Sequence, residues 1–316
     1  MKRVWFGALI CILFLYCWSV SAGEKGSAKR AFSLVIREGF GSISVGDLNT
    51  TLSSINSAYD GIRAYRPERC VGEILEVPNR FKDWEAELQW AAWWGFSIGL
   101  AVSGPTRFYD KSFLTYTIVD YAGTQSENDT YESEIRVSAP IMFNLYRSFS
   151  IFSKVNLAVN GGIGYYRARM TLTEIMHLRY PLDDISLTYF NFNVAGKGVG
   201  YHCGLALEYK FNDRFSMMAE GRWRFAKIRT LKGSTSTTHQ AWDEEGNLYS
   251  TGSNSMEGPL YHYIGTDLRL GRPHEKLSVN DFPPPWWGID FPRDIREAFL
   301  DLGGFTFRIG LRIRLF

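Results

Sequence analysis

The C-terminal stretch GGFTFRIGLRIRLF, Gly303 to Phe316, alternates strictly. Phe305, Phe307, Ile309, Leu311, Ile313 and Leu315 share one parity, and Thr306, Arg308, Gly310, Arg312 and Arg314 share the other. A period of two marks a β-strand with one apolar and one polar face. The pattern recurs in YHCGLALEYKF, where Tyr201, Cys203, Leu205, Leu207, Tyr209 and Phe211 oppose His202, Gly204, Ala206, Glu208 and Lys210. After Asn212-Asp213-Arg214 it resumes in FSMMAEGRWRF, with Met217, Trp223 and Phe225 against Glu220, Arg222 and Arg224, so the two segments read as a hairpin. A second hairpin sets Trp84, Leu88 and Trp90 against Glu85, Glu87 and Gln89, and continues past a turn near 92–95 as Phe96 to Ser103. A third opposes Ile135, Val137, Ile141, Phe143 and Leu145 to Arg136, Ser138, Met142 and Asn144, then passes a turn near 147–153 into Val155 to Tyr165. With a first strand from Ala31 to Arg37, the count is eight.

An apolar face and a charged face fit a soluble sandwich or, turned inside out, a membrane barrel whose apolar parity meets lipid. The polar parity decides for the barrel. It mixes Gly, Ala, Ser and Asn with isolated charges of both signs, which suits a narrow lumen. Pointing Glu220, Arg222 and Arg224 at lipid instead would cost about 2–4 kcal/mol for each basic residue near the midplane. Short connections near 92–95, 147–153 and 212–214 alternate with long ones near 38–82, 105–133, 177–192 and 229–300. That is the pattern of short periplasmic turns and long external loops. Trp93, Trp94, Phe96, Phe149, Phe152, Tyr209, Phe211 and Phe215 cluster beside the short turns, where an interfacial girdle belongs.

The segment 1–22, MKRVWFGALICILFLYCWSVSA, has Lys2 and Arg3, an apolar run and a small-residue end, the layout of a signal peptide. An uncleaved anchor is the alternative, but the run is short for a spanning helix. Residues 23–316 are then one exported barrel domain, expected in the outer membrane of a diderm bacterium. Loss of Lys2 and Arg3 leaves 33 basic against 33 acidic residues, and no basic cluster points to nucleic acid. Cys70 and Cys203 are the two remaining cysteines, and a disulfide between them stays open.

The segments GLALEYKFNDRFSMMAEGRWRFAKI, NGGIGYYRARM and GGFTFRIGLRIRLF resemble the small eight-stranded outer-membrane barrel family, the OmpA transmembrane domain and OmpW-like group. The resemblance implies an all-β, eight-stranded antiparallel up-and-down transmembrane β-barrel, with outer-membrane lipids and the barrel-assembly machinery as partners. No peptidoglycan-binding domain is expected after Phe316. That family's assembly signal places apolar residues where Arg314 and Arg312 stand here, so Leu315 is expected to end the strand and Phe316 to overhang. A ten-stranded barrel using residues near 259–270 is an alternative.

Glu85, Glu87, Arg136, Glu208, Lys210, Glu220, Arg222, Arg308, Arg312 and Arg314 all share the lumenal parity of their strands. Two readings follow: a salt-bridged plug, because unpaired buried charge is costly, or a charged constriction in a narrow channel. In the first long loop, Leu48, Leu52, Ile55, Tyr59 and Ile62 fall on one helical face behind Asp47 as N-cap, which predicts a short helix. The last loop holds WDEEGNLYS, a hairpin turning at Gly246-Asn247, and FPPPWWGIDFP, extended by its prolines. Trp286 and Trp287 there are candidates for contact with an extracellular ligand. His177, His202, His239, His262 and His274 form no triad or zinc spacing, so neither an enzyme nor a cofactor is expected.

Overall fold

The computed structural model describes residues 31–92, 95–120, 123–180, 184–267, 272–281, 283–284 and 292–315. The predicted signal segment, Trp93, Trp94, Trp286, Trp287 and Phe316 lie outside them. The chain opens with β1 (Ala31–Ser42), β2 (Val45–Gly46), helix α1 (Asp47–Tyr65), β3 (Cys70–Glu73), β4 (Arg80–Ala91) and β5 (Phe96–Ser103). It continues through β6 (Thr106–Asp120), β7 (Gly123–Val137), β8 (Ile141–Phe152), β9 (Val155–Arg179), β10 (Ile185–Lys210) and β11 (Phe215–Ile228). It ends with β12 (Lys232–Trp242), β13 (Leu248–Asp267), β14 (Arg272–Val279), β15 (Arg293–Glu297), β16 (Leu300–Asp301) and β17 (Gly304–Arg314). Among the described residues no helix is long and apolar enough to cross a membrane.

The seventeen strands among the described residues belong to one sheet, and their pairings are antiparallel. This overturns the expected eight-stranded barrel with long loops, because the supposed loops are themselves wall. A circuit of pairings runs from β1 through β4, β5, β8, β9, β10, β11 and β17 back to β1. The other strands continue it upward. β7 pairs with the second half of β9 from Val137↔Ala168 to Ser126↔Arg179, and β12 pairs with the first half of β10 from Ala195↔Lys232 to Ile185↔Trp242. β6 joins β7 to β3, and β13 joins β12 to β14 and β15. Residues 259–267 finish β13 and add no strands of their own to the circuit. The 105–133 segment hid its strands because β7, GTQSENDTYESEIRV, has few apolar residues to alternate.

The wall has two storeys. In the lower one, outward positions such as Leu100, Phe143, Ile163, Leu205 and Ile309 are exposed, while Glu85, Asn144, Asn160 and Glu220 are buried inside. The outward apolar run from Val155 to Tyr165 on β9 rises about 3.3 Å per residue. At a barrel's usual tilt of about 35–45° this covers a belt about 25 Å tall. Phe152, Tyr209, Phe211 and Phe215 edge the belt at the short turns, and Phe40, Trp84, Tyr201, Trp223 and Phe305 edge it above. In the upper storey Phe108, Leu114, Met170, Leu172, Phe192 and Leu260 form a buried apolar core.

Helix α1 packs Leu48, Leu52 and Tyr59 into that core and bridges two parts of the upper wall. Asn56 donates to Glu73 of β3 at 3.2 Å, and the backbone N–H of Glu275 in β14 donates to Ser54 Oγ at 2.9 Å. Asp47 is buried and holds the far end of the chain. Its carboxylate accepts two bonds from Arg296, at 2.6 and 2.7 Å, and one from the Phe299 backbone at 2.8 Å. No disulfide joins Cys70, buried in β3, to Cys203 on β10. β12 and β13 form a long hairpin around Asp243–Asn247, where Gly246 takes a φ of 82° that favours glycine.

Candidate functional site: a charged lumen

Period-2 geometry on seven of the circuit's strands sends ionic or amide side chains to one level inside the lower storey. Arg37 of β1 donates from Nη1 to Glu85 Oε1 at 2.5 Å and to Glu87 Oε2 at 2.6 Å. Its Nε lies 3.1 Å from Glu220 Oε2 on β11. Arg222 grips Glu85 with both terminal nitrogens, at 2.8 and 3.3 Å, and donates from Nε to Glu220 at 2.9 Å. Arg308 of β17 donates to Glu85 at 2.6 Å and to Glu220 at 3.2 Å, with Asp83 3.5 Å away. Three guanidinium groups therefore interlock with three glutamates, and Glu85 touches all three arginines. Asp83, also buried, adds a fourth carboxylate at the edge of the cluster beside Arg308.

Neutral donors take up the remaining lone pairs. Tyr146 and Asn144 of β8 donate to Glu87 at 2.8 and 2.7 Å, and Asn160 of β9 donates to Glu220 at 2.9 Å. His202 Nε2 sits 2.7 Å from Asn144 Oδ1, so it is the protonated nitrogen of that ring. β5 contributes space instead of charge. A Cβ on Gly99 would fall 1.8 Å from Glu87 Oε1, so only glycine leaves room for that carboxylate. A second tier lies nearer the short turns: Arg312 pairs with Glu208 at 2.7 Å and donates to Gln89 at 2.7 Å, and Ser216 donates to Glu208 at 2.6 Å.

The structure thus brings Glu85, Glu87, Glu208, Glu220, Arg222, Arg308 and Arg312 together, and separates three residues that parity grouped with them. Arg136 points outward and pairs with Glu134 at 2.7 Å. Its strand ends at Val137, and the break at 138–140 resets the parity before β8 begins, so the continuous reading from Ile135 to Leu145 placed it on the wrong face. Lys210 and Arg314 end β10 and β17 beside the short turns, outside the cluster, and Arg314 is exposed. Parity also undervalued Arg37, whose alternation with Leu34 and Ile36 carries the signal, and the amides Asn144 and Asn160, which look like filler in sequence.

The side chains of Arg37, Glu85, Glu87 and Glu220 are 0 % exposed and that of Arg222 only 4 %, which leaves no open passage of solvent along these side chains. Above this level the apolar core packs the upper barrel, apart from a cavity of about 300 Å³ between α1, β7, β9 and β14. Elsewhere, His262 lies 2.9 Å from Glu275. No group of His, Cys, Asp and Glu suited to a metal occurs among the described residues.

No protein-family model matches the chain, and no curated protein does. Several solved chains match it, and two that align along most of it illustrate the likeness. One is a major outer membrane protein from Thermus thermophilus, 12% identical, covering 90% of this chain and 99% of that one at a TM-score of 0.32. The other is a Pseudomonas aeruginosa FadL homologue, 8% identical, covering 90% of each chain at a TM-score of 0.17. Both superpositions are loose and identify no family.

Proposed function

We propose that this chain is an outer-membrane β-barrel protein whose lumen is sealed, and that its role is structural or one of surface interaction. The observation carrying this reading is the inversion of the lower storey: a continuous apolar belt outside and a buried network of ion pairs within. In water such a belt would be an exposed apolar surface far larger than soluble monomers tolerate. In a bilayer it is the required surface, and its height matches a hydrocarbon core. The short turns and the ends of β1 and β17 lie together, consistent with a periplasmic end, and the taller upper storey then faces outward.

Likeness to the OmpA and OmpW-like group is a narrower reading, supported by β9, β10, β11 and β17, which carry its segments. Against it stands the seventeen-stranded sheet. Interaction with an extracellular ligand would fall to the upper storey and its edges; Trp286 and Trp287, outside the described residues, are candidates from the sequence alone. Neither catalysis nor a bound cofactor is part of the proposal.

Single-channel recording on the chain inserted in a planar bilayer tests the sealed lumen. We expect no steady conductance from inserted protein, and conductance appearing when Glu85 and Glu220 are both replaced by alanine. Ion-selective openings in the unaltered chain that change with Arg222→Ala or Arg308→Ala would contradict the plug and favour a narrow channel.

A further inference from the structure

Immediately above the apolar belt, the outer wall carries cations in direct register. Arg107 of β6 lies opposite Arg136 of β7, and Arg136 lies opposite Arg169 of β9. The row crosses β10 at Ala195 and reaches Lys232 of β12, while one step lower Arg167 faces Lys197. All six basic residues are exposed. Like charges directly opposite each other on neighbouring strands are destabilising. Glu134 accepts bonds from both Arg107 and Arg136, a single carboxylate between two guanidinium groups. Arg167, Arg169, Lys197 and Lys232 form no ion pair among the described residues. A second observation lies at the same height. Where β11 leaves β10 at Ala226 and β12 takes over at Lys232, the outer wall holds a groove of about 790 Å³. Val199, Tyr201 and Phe225 line it together with Arg229 and with Lys227, which lies 3.7 Å from Asp301 in the same lining.

A row of six cations with a single carboxylate bonded into it repels itself unless an anionic layer lies against it, and its height selects that layer. Tyr165 and Val199, the next outward residues below Arg167 and Lys197, belong to the apolar belt. The collar therefore sits at the edge of the hydrocarbon, where headgroup phosphates lie. We infer that the collar binds phosphate-bearing lipids of the surrounding leaflet, with phosphate against the basic row and an acyl chain along the groove. The inference rests on the membrane reading above. It assigns to that belt a lipid preference that apolar area alone does not give.

Native mass spectrometry tests it on the full chain in detergent, titrated with diphosphorylated lipid A, with its dephosphorylated form, and with inorganic phosphate. The phosphorylated lipid should bind at least about ten-fold more tightly than the dephosphorylated one, because several basic residues add at an anionic surface. Raised salt should shrink the difference. Arg167→Gln/Arg169→Gln/Lys197→Gln/Lys232→Gln should abolish the preference, and Arg167→Lys/Arg169→Lys should keep it. If the quadruple variant does not fold, Arg167→Gln/Lys197→Gln should still weaken the preference at least about three-fold. Equal affinity for the two lipids, an undiminished preference in the glutamine variants, or displacement of the lipid by inorganic phosphate at similar concentration would overturn the inference. Insertion into phosphatidylcholine vesicles separates the two claims. A chain that fails to insert defeats the membrane reading, and one that inserts but shows no phosphate preference defeats only the collar.

Discussion

Along β9 the outward residues Ile163 and Tyr165 give way to Arg167 and Arg169, while the inward ones change from Asn160 and Gly164 to Met170 and Leu172. β10 makes the same exchange in reverse order, from outward Asn193 and Lys197 to outward Tyr201 and Leu205. A slipped register or a bulge would also reverse the phase of an alternating sequence. Neither occurs here. The two strands pair residue for residue from Ile185↔Arg179 to Tyr209↔Val155. The faces keep their direction. On the proposed membrane reading, a phase reversal inside an unbroken strand marks a solvent boundary: below it apolar residues meet lipid and charges hide, and above it the ordinary rule for proteins in water returns.

The comparison can be broken at several points. The largest effect should come from Glu85→Ala, which leaves three arginines short of a partner; unpairing a buried charge costs about 3–5 kcal/mol. Urea unfolding of the vesicle-inserted protein would measure it, and a loss below about 1 kcal/mol would mean that water screens the lumen. Next, the same truncation should give opposite results in the two storeys. Leu114→Ala in the upper core opens a cavity and should cost about 2–5 kcal/mol. Leu205→Ala faces lipid, which closes over the missing atoms, and should cost well under half of that. Third, Leu205→Arg, near the middle of the belt, should lose about 2–4 kcal/mol, whereas Asn193→Arg on the same strand should stay within about 0.5 kcal/mol. Equal costs for the two arginines would remove the boundary. The smallest effect concerns Glu134. The hydrogen bond from Arg136, joined by that from Arg107, holds its carboxyl below the ordinary carboxylate range. Its contribution is thus present above the unfolded glutamate value of about 4.3 and is lost as pH falls through its lower folded value. A slight fall in the unfolding midpoint on acidification, missing in Glu134→Gln, would confirm the sign.

The lower storey was legible in sequence because its alternation is strict and its inward charges are conspicuous. Leu205 against Glu208 and Ile309 against Arg308 each declare a face. The upper storey was not, for three physical reasons. β7 buries Glu127, Asp129 and Ser133 beside Tyr131 and Ile135, so its inward face does not look apolar. β6 exposes Tyr109 and Phe113 while burying Phe108 and Leu114, which blurs its period. The extra strands are also held by long-range pairing, as where Ile185 meets Trp242, and no local turn signal announces it. The helix was visible because Leu48, Leu52 and Tyr59 repeat at its own period. Asp47, read as its N-cap, instead spends its carboxylate on Arg296 and Phe299, a contact between residues 249 and 252 positions apart that no local motif encodes.

The boundary itself can be located by nitroxide accessibility on the vesicle-inserted protein, with labels at outward positions 191, 193, 197, 199, 201, 205 and 207 of β10, one at a time, in a background carrying Cys70→Ala and Cys203→Ala. Labels from 199 to 207 should be relaxed by oxygen, which partitions into lipid, and shielded from a water-soluble nickel complex. The reverse is expected for 191, 193 and 197, with the crossover between Lys197 and Val199. A uniform preference for the nickel complex along the whole strand would contradict a lipid boundary there.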